Sequence, residues 1–356
     1  MTLDDDQAAR IAECELNGTL RWYLHAGIHS IVLREKGEEV ASEVWRRLML
    51  GQQSDKYLEG ARKCGILDTE PPAVRAAKYH YLSNTIGGLR LHYIEESPKK
   101  VWIRYLAPLG SYPGMAMLMA PIALRRTILS TWHPRNGELM GCPRLGWVLT
   151  KTVAFGEPYD EGYFYEYDHD LKPEERVRFE AVSESPEFDP AKAPQLPEGQ
   201  WSALRLARAS RNYATGYLDE LVGVLRAMFG ERTAAYLCET AAACVAVQFT
   251  PALCDAASVT GNDVAAVATL FTRLAVACGQ SVEQRQIATG HLTLSVAGPK
   301  PFLNMPTLAL REAFFQLQVV ATRMLNGRIA VSRAETGTGH DLTEVWEIRD
   351  TGRWLW

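Results

Sequence analysis

The sequence predicts an α+β protein made of two tandem, diverged repeats, each a helical bundle packed on a small antiparallel sheet. Three observations predict this class. Segments with helical periodicity are followed by segments in which apolar and polar residues alternate. The same order of elements occurs twice, and short stretches of the two halves match in that order. We therefore expect a pseudo-dimer, a homodimer-like pair fused in one chain.

The first half is predicted to contain helices, a strand pair, a further helix and a closing hairpin. Apolar spacing of three and four residues marks the helices, glycines and prolines mark their ends, and alternation marks the strands. In chain order, the predicted elements are helices at 1–36, 36–53, 54–65 and 71–88, strands at 89–96 and 100–108, a helix at 122–133 and a hairpin at 146–168.

Residues 171–200 are rich in Pro, Glu and Ser, and we expect them to link an N-terminal repeat, 1–170, to a C-terminal repeat, 201–356. After this segment the order of elements begins again. The predicted elements of the second half are helices at 201–229, 230–249, 250–258 and 261–279, a strand pair at 281–299, a helix at 308–325 and a hairpin at 327–350.

Four pairs of short stretches support an internal duplication. They are 37–48 with 230–241, 101–108 with 292–299, 123–129 with 309–315, and 162–168 with 344–350. Chance similarity between amphipathic helices is the alternative, but it does not explain why all four pairs occur in one order. Because polar residues concentrate in the first repeat, we expect the site there and a second repeat that is mostly scaffold.

Composition limits the class of protein. The formal net charge is −4 and the pI about 6.1, and no block of Lys or Arg occurs, so we expect no nucleic-acid partner. The N-terminus lacks the pattern of a signal peptide, and the apolar stretch at 114–124 is too short to span a bilayer. Seven irregularly spaced cysteines, without a CxxC pair, predict reduced thiols in a cytoplasmic protein.

Two histidines lie four residues apart in the first predicted helix. His25 and His29 therefore share one helix face. Aligned from Gly37 and Gly230, they stand opposite the apolar Leu218 and Val222, which predicts that both histidines face inward. Three interpretations remain open: a hydrogen-bonded structural pair, an acid–base or ligand-binding pair, and a metal site.

The segment 130–147 is the second polar concentration. It contains His133, Arg135 and Glu138 between a helix and a hairpin, where loops often carry function. The corresponding part of the second repeat is shorter and less polar. A solvated loop is the structural alternative.

The strand that closes the first repeat carries three tyrosines. Tyr163, Tyr165 and Tyr167 share one face by their spacing of two, with Phe164, Glu166 and Asp168 on the other. A face of phenol rings suits an aromatic or heterocyclic ligand. A tyrosine-rich core face is the alternative.

The order and texture of the repeat resemble the L-2-amino-thiazoline-4-carboxylic acid hydrolase family and the related vinyl-reductase-type small-molecule-binding domains. The stretches that carry this resemblance are 230–249, 261–279 and the hairpin at 146–168. The resemblance implies a small organic ligand, such as a ring-containing acid. Vinyl-reductase-type domains often carry cysteines near the closing hairpin, where this chain has Tyr165 and Tyr167.

Three functional hypotheses follow. The first is a hydrolase or lyase for an aromatic or heterocyclic compound. His25, His29, His133 and Tyr163 would be its catalytic residues, and Tyr165, Tyr167, Arg135 and Glu138 would bind the substrate. The second is a non-catalytic binding or sensor protein. The third is a metal-dependent enzyme that uses His25 and His29 with Glu138 or Asp168. We expect no organic cofactor, although a metal ion is compatible with the third hypothesis, and a homodimer is compatible with all three.

Overall fold

A computed structural model of the chain describes residues 3–54, 57–106, 121–182, 184–298, 307–337 and 342–355. The fold is mixed α+β, as predicted. The predicted strand ends at 108 and 299, and residues 114–120 of the apolar stretch, lie outside the described residues.

The helices are α1 (Leu3–Ser54), α2 (Tyr57–Lys63), α3 (Pro72–Ile86), α4 (Ile122–Trp132), α5 (Arg135–Leu139), α6 (Ala203–Phe229), α7 (Glu231–Ala256), α8 (Val264–Ala277) and α9 (Leu308–Leu325). The strands are β1 (Leu91–Ser97), β2 (Lys100–Leu106), β3 (Leu145–Lys151), β4 (Tyr159–Glu166), β5 (Val177–Phe179), β6 (Ser281–Ala288), β7 (His291–Ala297), β8 (Ile329–Thr336) and β9 (Thr343–Asp350).

The chain forms two compact units that do not follow one another in sequence. Unit 1 combines Met1–Ile31 with Leu225–Trp356, and unit 2 is Val32–Val224. These units describe packing, whereas the predicted boundaries at 170 and 201 describe repeated sequence. The division of the sequence into repeats stays a prediction.

Unit 2 contains a five-stranded sheet in the order β1-β2-β4-β3-β5. Its pairs are antiparallel except for β3 with β5, which is parallel. Helix α3 packs on one face, where Ile103, Trp147 and Phe164 are fully buried. Strand β5 lies within the predicted linker, so part of that segment belongs to the sheet.

Unit 1 contains a four-stranded antiparallel sheet in the order β6-β7-β9-β8. Helices α8 and α9 cover one face, and α7 packs along α9. The first part of α1 completes this core. The side-chain amide of Asn17 donates to the carbonyl of Ala277 over 3.1 Å, and Tyr23 stacks on Phe249 with ring centroids 3.8 Å apart.

Two glycines redirect the long helices. Gly37, where the sequence predicts a break, has φ 82° and ψ 172° inside α1, and Gly230 has φ 78° and ψ 166° between α6 and α7. A side chain at either position would be strained, because this conformation is essentially confined to glycine.

Helix α7 is the one helix of the described chain that is long and apolar enough to cross a membrane by length and composition. Half of its most apolar window is buried within the protein, which is also what a core helix shows. The expectation that the protein has no membrane partner stays a prediction.

The close approach of β4 to β3 predicts that Gly162→Ala destabilises unit 2. A methyl group at Gly162 would lie less than 3.0 Å from the indole of Trp147 and from the carbonyl oxygen of Val148, and the latter is backbone that cannot rotate away. We expect the free energy of unfolding to fall by about 2–3 kcal/mol, as for other overpacked cores. Urea unfolding followed by circular dichroism measures it.

Gly223→Ala is the matched control. Gly223 is exposed on α6 with no atom within 4 Å of an added methyl group. Alanine should raise stability there by about 0.5–1 kcal/mol through helix propensity. Equal effects at the two positions would contradict the packing described for β4.

Candidate functional sites

The strongest polar cluster of unit 2 lies between the sheet and its helices. His80 comes from α3, Tyr105 from β2, and His133 and Asn136 from the end of α4 and the start of α5. All four side chains are buried, with His80 and Asn136 wholly inaccessible to solvent. The residues reach one point because α3 packs across β2 and β4, while α5 packs on both α3 and β3.

A chain of hydrogen bonds joins these side chains. The Asn136 amide donates to Nε2 of His80 over 2.9 Å, so the proton of that neutral ring lies on Nδ1, which donates to the Tyr105 hydroxyl over 3.2 Å. Tyr105 in turn donates to Nε2 of His133 over 2.9 Å, and Nδ1 of His133 donates to the carbonyl of Leu129 over 3.1 Å. Each ring thus has one donating and one accepting nitrogen.

Burial keeps both rings neutral. It lowers the pKa of His80 to about 3 and holds the pKa of His133 well below its ordinary value, with the neighbouring His80 and Arg125 lowering it further. The imidazoles stack with centroids 4.4 Å apart, and His133 stacks on Trp147 at 4.1 Å. Burial also raises the pKa of the Tyr105 phenol. At pH 7 the cluster therefore consists of uncharged side chains whose hydrogen-bond donors and acceptors point in fixed directions.

A buried ion pair lies beside this cluster. Nε of Arg125 donates to Asp160 over 2.7 Å, and the second oxygen of Asp160 accepts from the backbone N–H of Val153 over 3.2 Å. The Arg125 guanidinium is 6.0 Å from the centre of the Tyr105 ring. Because both charges are paired, burial of the two groups is compensated.

Unit 1 contains a cavity of about 50 Å³ between the first part of α1, helices α8 and α9, and the sheet. Its wall is mostly apolar and aromatic, with four polar side chains. The lining residues are Leu20, Arg21, Leu24, Phe271, Leu274, Ala275, Cys278, Gln280, Val296, Phe314, Phe315, Leu317, Gln318, Glu344 and Trp346.

The polar groups of this cavity differ in how they are paired. Glu344 is 3.2 Å from Arg333, whose guanidinium lies 3.8 Å from the centre of the Phe315 ring. Gln280 is 7% exposed, and its amide nitrogen has no hydrogen-bond partner in the described part of the chain. The amide oxygen of Gln318 is likewise buried without a described partner. The cavity therefore presents a donor and an acceptor that no described residue satisfies.

His25 and His29 lie together on α1 in unit 1, and both face inward. They are 0% and 1% exposed, with ring centroids 4.6 Å apart, and Trp22 contacts His25 edge-on. Burial lowers the pKa of His25 to about 3 and that of His29 well below its ordinary value. The structure brings these two predicted residues together and keeps them neutral.

The three tyrosines share a face, but this face is not the one that contacts His133. Tyr165 lies edge-on to Tyr163 and to Tyr167, with centroids 6.4 and 4.7 Å apart. Phe164, on the opposite face of β4, is the strand residue whose ring is 5.9 Å from His133. The sheet therefore separates the predicted catalytic pair His133 and Tyr163. Tyr163 instead donates to Glu180 over 3.1 Å.

The remaining predicted residues have other partners. Arg135 donates to the carbonyl of Leu50 over 2.8 Å. Glu138 is 2.9 Å from Arg176. Asp168 is 2.7 Å from Lys99 at an exposed position. In the described ranges, no group of three or more His, Cys, Asp or Glu side chains is placed to hold a metal ion.

Sequence reasoning missed several members of these clusters. His80 is a lone histidine without a motif, although its place on the apolar stripe of α3, four residues after Ala76, indicates burial. Tyr105 lies in a strand where alternation predicts an inward side chain. The sequence does not single out Gln280 or Gln318. These residues are distinguished only by buried amide atoms that have no hydrogen-bond partner among the described residues.

Four neutral, buried histidines predict loss of stability in acid. Their folded-state pKa values lie below the unfolded value of about 6.5, so the unfolded chain binds more protons below that pH. The stability that comes from keeping these rings neutral is fully present above pH 6.5. As the pH falls toward 3, the free energy of unfolding decreases by up to about 1.4 kcal/mol per pH unit for each histidine. Urea unfolding at pH 7, 6 and 5 measures this slope. His25→Leu should reduce it by one histidine's share, and an unchanged slope would contradict the neutral state assigned to His25.

The hydroxyl of Tyr105 is predicted to hold the cluster of unit 2 together. Tyr105→Phe removes the hydroxyl that accepts from Nδ1 of His80 and donates to Nε2 of His133. Both of these nitrogens then stay buried without that partner. We expect a loss of about 2–3 kcal/mol in the free energy of unfolding. Tyr165→Phe, on the other face of the sheet, is the control and should change it by less than about 0.5 kcal/mol. Equal losses would show that the hydrogen-bond chain contributes nothing specific.

No family model, no curated protein and no solved structure matches this chain. The resemblance to the thiazoline carboxylate hydrolase and vinyl-reductase-type families therefore stays a prediction. The function has to be inferred from the contacts within the two units.

Proposed function

We propose that this chain is a small-molecule-binding protein whose ligand occupies the cavity of unit 1. The observation that carries the proposal is the amide of Gln280, which is buried in the cavity wall and whose nitrogen has no hydrogen-bond partner among the described residues. Leaving such a group unsatisfied costs about 1–3 kcal/mol. A ligand or a water that accepts from this amide removes that cost.

The cavity has the composition of a binding site. Phe271 and Phe315 meet Trp346 edge-on, with centroids 5.0 and 5.5 Å apart, and form a rigid aromatic wall. Arg21, Gln280 and Gln318 add polar groups to this wall. A few polar groups on an apolar surface fix the orientation of a ligand, as in most small-molecule sites.

The volume limits the size of the ligand. One water occupies roughly 10–15 Å³ on this scale, so about 50 Å³ holds roughly three to five non-hydrogen atoms. Benzene occupies a cavity of about 150 Å³. We therefore propose a compact ligand that both accepts and donates hydrogen bonds, such as a small primary amide. The expected aromatic or heterocyclic compound requires side chains to move and widen the cavity.

Catalysis by a hydrolase or lyase is the second candidate function. The observation that favours it is that Arg21, His25 and His29 follow one another at intervals of four residues on α1, so the histidines share the helix face of a residue that lines the cavity. A neutral histidine is in the protonation state of a general base, although a pKa of about 3 makes His25 a weak one.

The metal-dependent alternative depends on a third ligand. Catalytic zinc sites use three protein ligands, and His25 with His29 supplies two. Both carboxylates proposed for the third place, Glu138 and Asp168, belong to unit 2, where each faces a cation. Elemental analysis of the untagged protein and of a His25→Ala/His29→Ala variant tests this alternative, and stoichiometric metal that is lost in the variant would favour it.

We also propose that the chain arose by duplication and is cytoplasmic, as the sequence suggests. Three observations support the duplication. Both sheets have their first four strands in the order first, second, fourth, third. Gly37 and Gly230 have nearly the same backbone angles and are 193 positions apart. The two unit boundaries, after Ile31 and after Val224, are separated by the same 193 positions. Each unit would then take its first helical segment from the other repeat.

Ligand binding is tested by thermal unfolding and calorimetry with a panel of compact amides, beginning with acetamide and propionamide. At 100 times its dissociation constant, a ligand stabilises the folded state by about 2.7 kcal/mol. Gln280→Leu should abolish this stabilisation. The same variant should raise the stability of the ligand-free protein by about 1 kcal/mol, because it removes a buried amide that lacks a partner.

Gln200→Leu is the control, since Gln200 is exposed in unit 2. Equal stabilisation of the wild type and Gln280→Leu, or of neither, would contradict the proposal for this ligand class. Release of ammonia from a bound amide, lost in His25→Leu while binding persists, would favour the hydrolase.

A further inference from the structure

We propose that strand β6 is a dimerisation edge, where two copies of this chain pair their β6 strands antiparallel and join two four-stranded sheets into one of eight strands. The proposal concerns unit 1 alone and does not depend on the ligand. It commits to one occupant of this edge, a second copy of the chain.

The first observation is that β6 is an exposed edge. It lies at one end of the sheet order and pairs with β7 alone in the described part of the chain. Seven of its eight residues are exposed, and Val282 is half-buried. Ile287 is an exposed large apolar residue, at 46%. A strand of eight residues whose edge is exposed, and of which only Val282 is half-buried, is a template for another strand.

The first strand of the other sheet shows the contrast. Strand β1 also ends its sheet, but Leu91 and Tyr93 on it are buried. The ring of Phe188 stacks on His92 of β1 at 3.8 Å, which places the segment after β5 against this strand. The chain thus covers β1 with one of its own segments, whereas β6 remains exposed.

Symmetry restricts how two β6 strands can pair. In an antiparallel pair, directly opposite residues point to the same face of the sheet. A two-fold axis perpendicular to the sheet keeps each residue on its own face, so the central residue of the pairing must lie opposite its own copy in the partner subunit. Centring on Glu283 places two glutamates opposite each other, and centring on Arg285 places two arginines opposite each other. Centring on Gln284 places Glu283 opposite Arg285 of the partner subunit, and does so twice.

Charge complementarity therefore selects a single register. Glu283 and Arg285 point to the same face of β6, and neither has an ion pair in the ranges that the structure describes. Opposite charges directly across an antiparallel pair stabilise it, whereas like charges destabilise it. In this register Val282 faces Gln286 and Ser281 faces Ile287, so the strand pairs over residues 281–287. Main-chain hydrogen bonds supply the affinity, as in other cases of strand addition.

The test is sedimentation equilibrium of the full chain over a range of concentrations, with charge-reversed variants. Glu283→Arg and Arg285→Glu each create two like-charge pairs and should raise the dimer dissociation constant at least roughly tenfold. The Glu283→Arg/Arg285→Glu double variant restores opposite charges and should restore the dimer. Glu239→Arg, at an exposed position of α7, is the control and should dimerise like the wild type.

Three results would contradict dimerisation through β6. A wild-type chain that stays monomeric at high concentration overturns the proposal. So does a dimer that neither single variant weakens, or one that the double variant fails to restore. Circular dichroism of each variant establishes that the fold is retained, which is expected because both side chains are exposed.

Discussion

Both compact units depend on a helical segment that is remote in sequence from the sheet it packs with. In unit 1 the buried amide of Asn17 hydrogen-bonds the last carbonyl of α8, 260 positions away. In unit 2 the hydroxyl of Tyr213, on α6, donates to Asn84 of α3 over 3.2 Å. A sheet covered on one face by only one or two helices leaves apolar surface in contact with water, and the remote segment removes it. The cavity of unit 1 is lined in part by its remote segment, through Leu20, Arg21 and Leu24.

The two units bury polarity in different ways. Unit 2 has a chain of hydrogen bonds that runs through His80, Tyr105 and His133, and an ion pair beside it. Such a network orders its members because each has one favourable arrangement. In unit 1 the amides of Gln280 and Gln318 have polar atoms without a hydrogen-bond partner in the described ranges. Asn136 Oδ1 and Trp147 Nε1 of unit 2 also lack a described partner, so it is the cavity lined by Gln280 and Gln318 that makes unit 1 the better candidate for a ligand.

Local pattern predicted most of the fold. Alternation identified the hairpins, glycine identified the turns in the long helices, and a spacing of two placed the tyrosines on one face. The comparison with Leu218 and Val222 predicted that His25 and His29 face inward. The rest required information that periodicity does not contain. An apolar stripe on the first helix predicts a buried face, but it does not show that this face packs with residues after 225. Likewise the spacing of the tyrosines does not show which face of β4 lies toward His133, and in the structure it is the face of Phe164.

The composition of unit 1 has a consequence for the order in which the chain folds during synthesis. Residues 32–224 are continuous, so unit 2 can assemble as they leave the ribosome. The first 31 residues belong with a segment that begins at Leu225. At a synthesis rate of about 5–20 residues per second, roughly 10–40 s pass before that segment starts to be made. During this interval Trp22, Leu24 and Ile28, which are buried in the folded protein, have no core to enter, so this helix exposes an apolar face that a chaperone can bind.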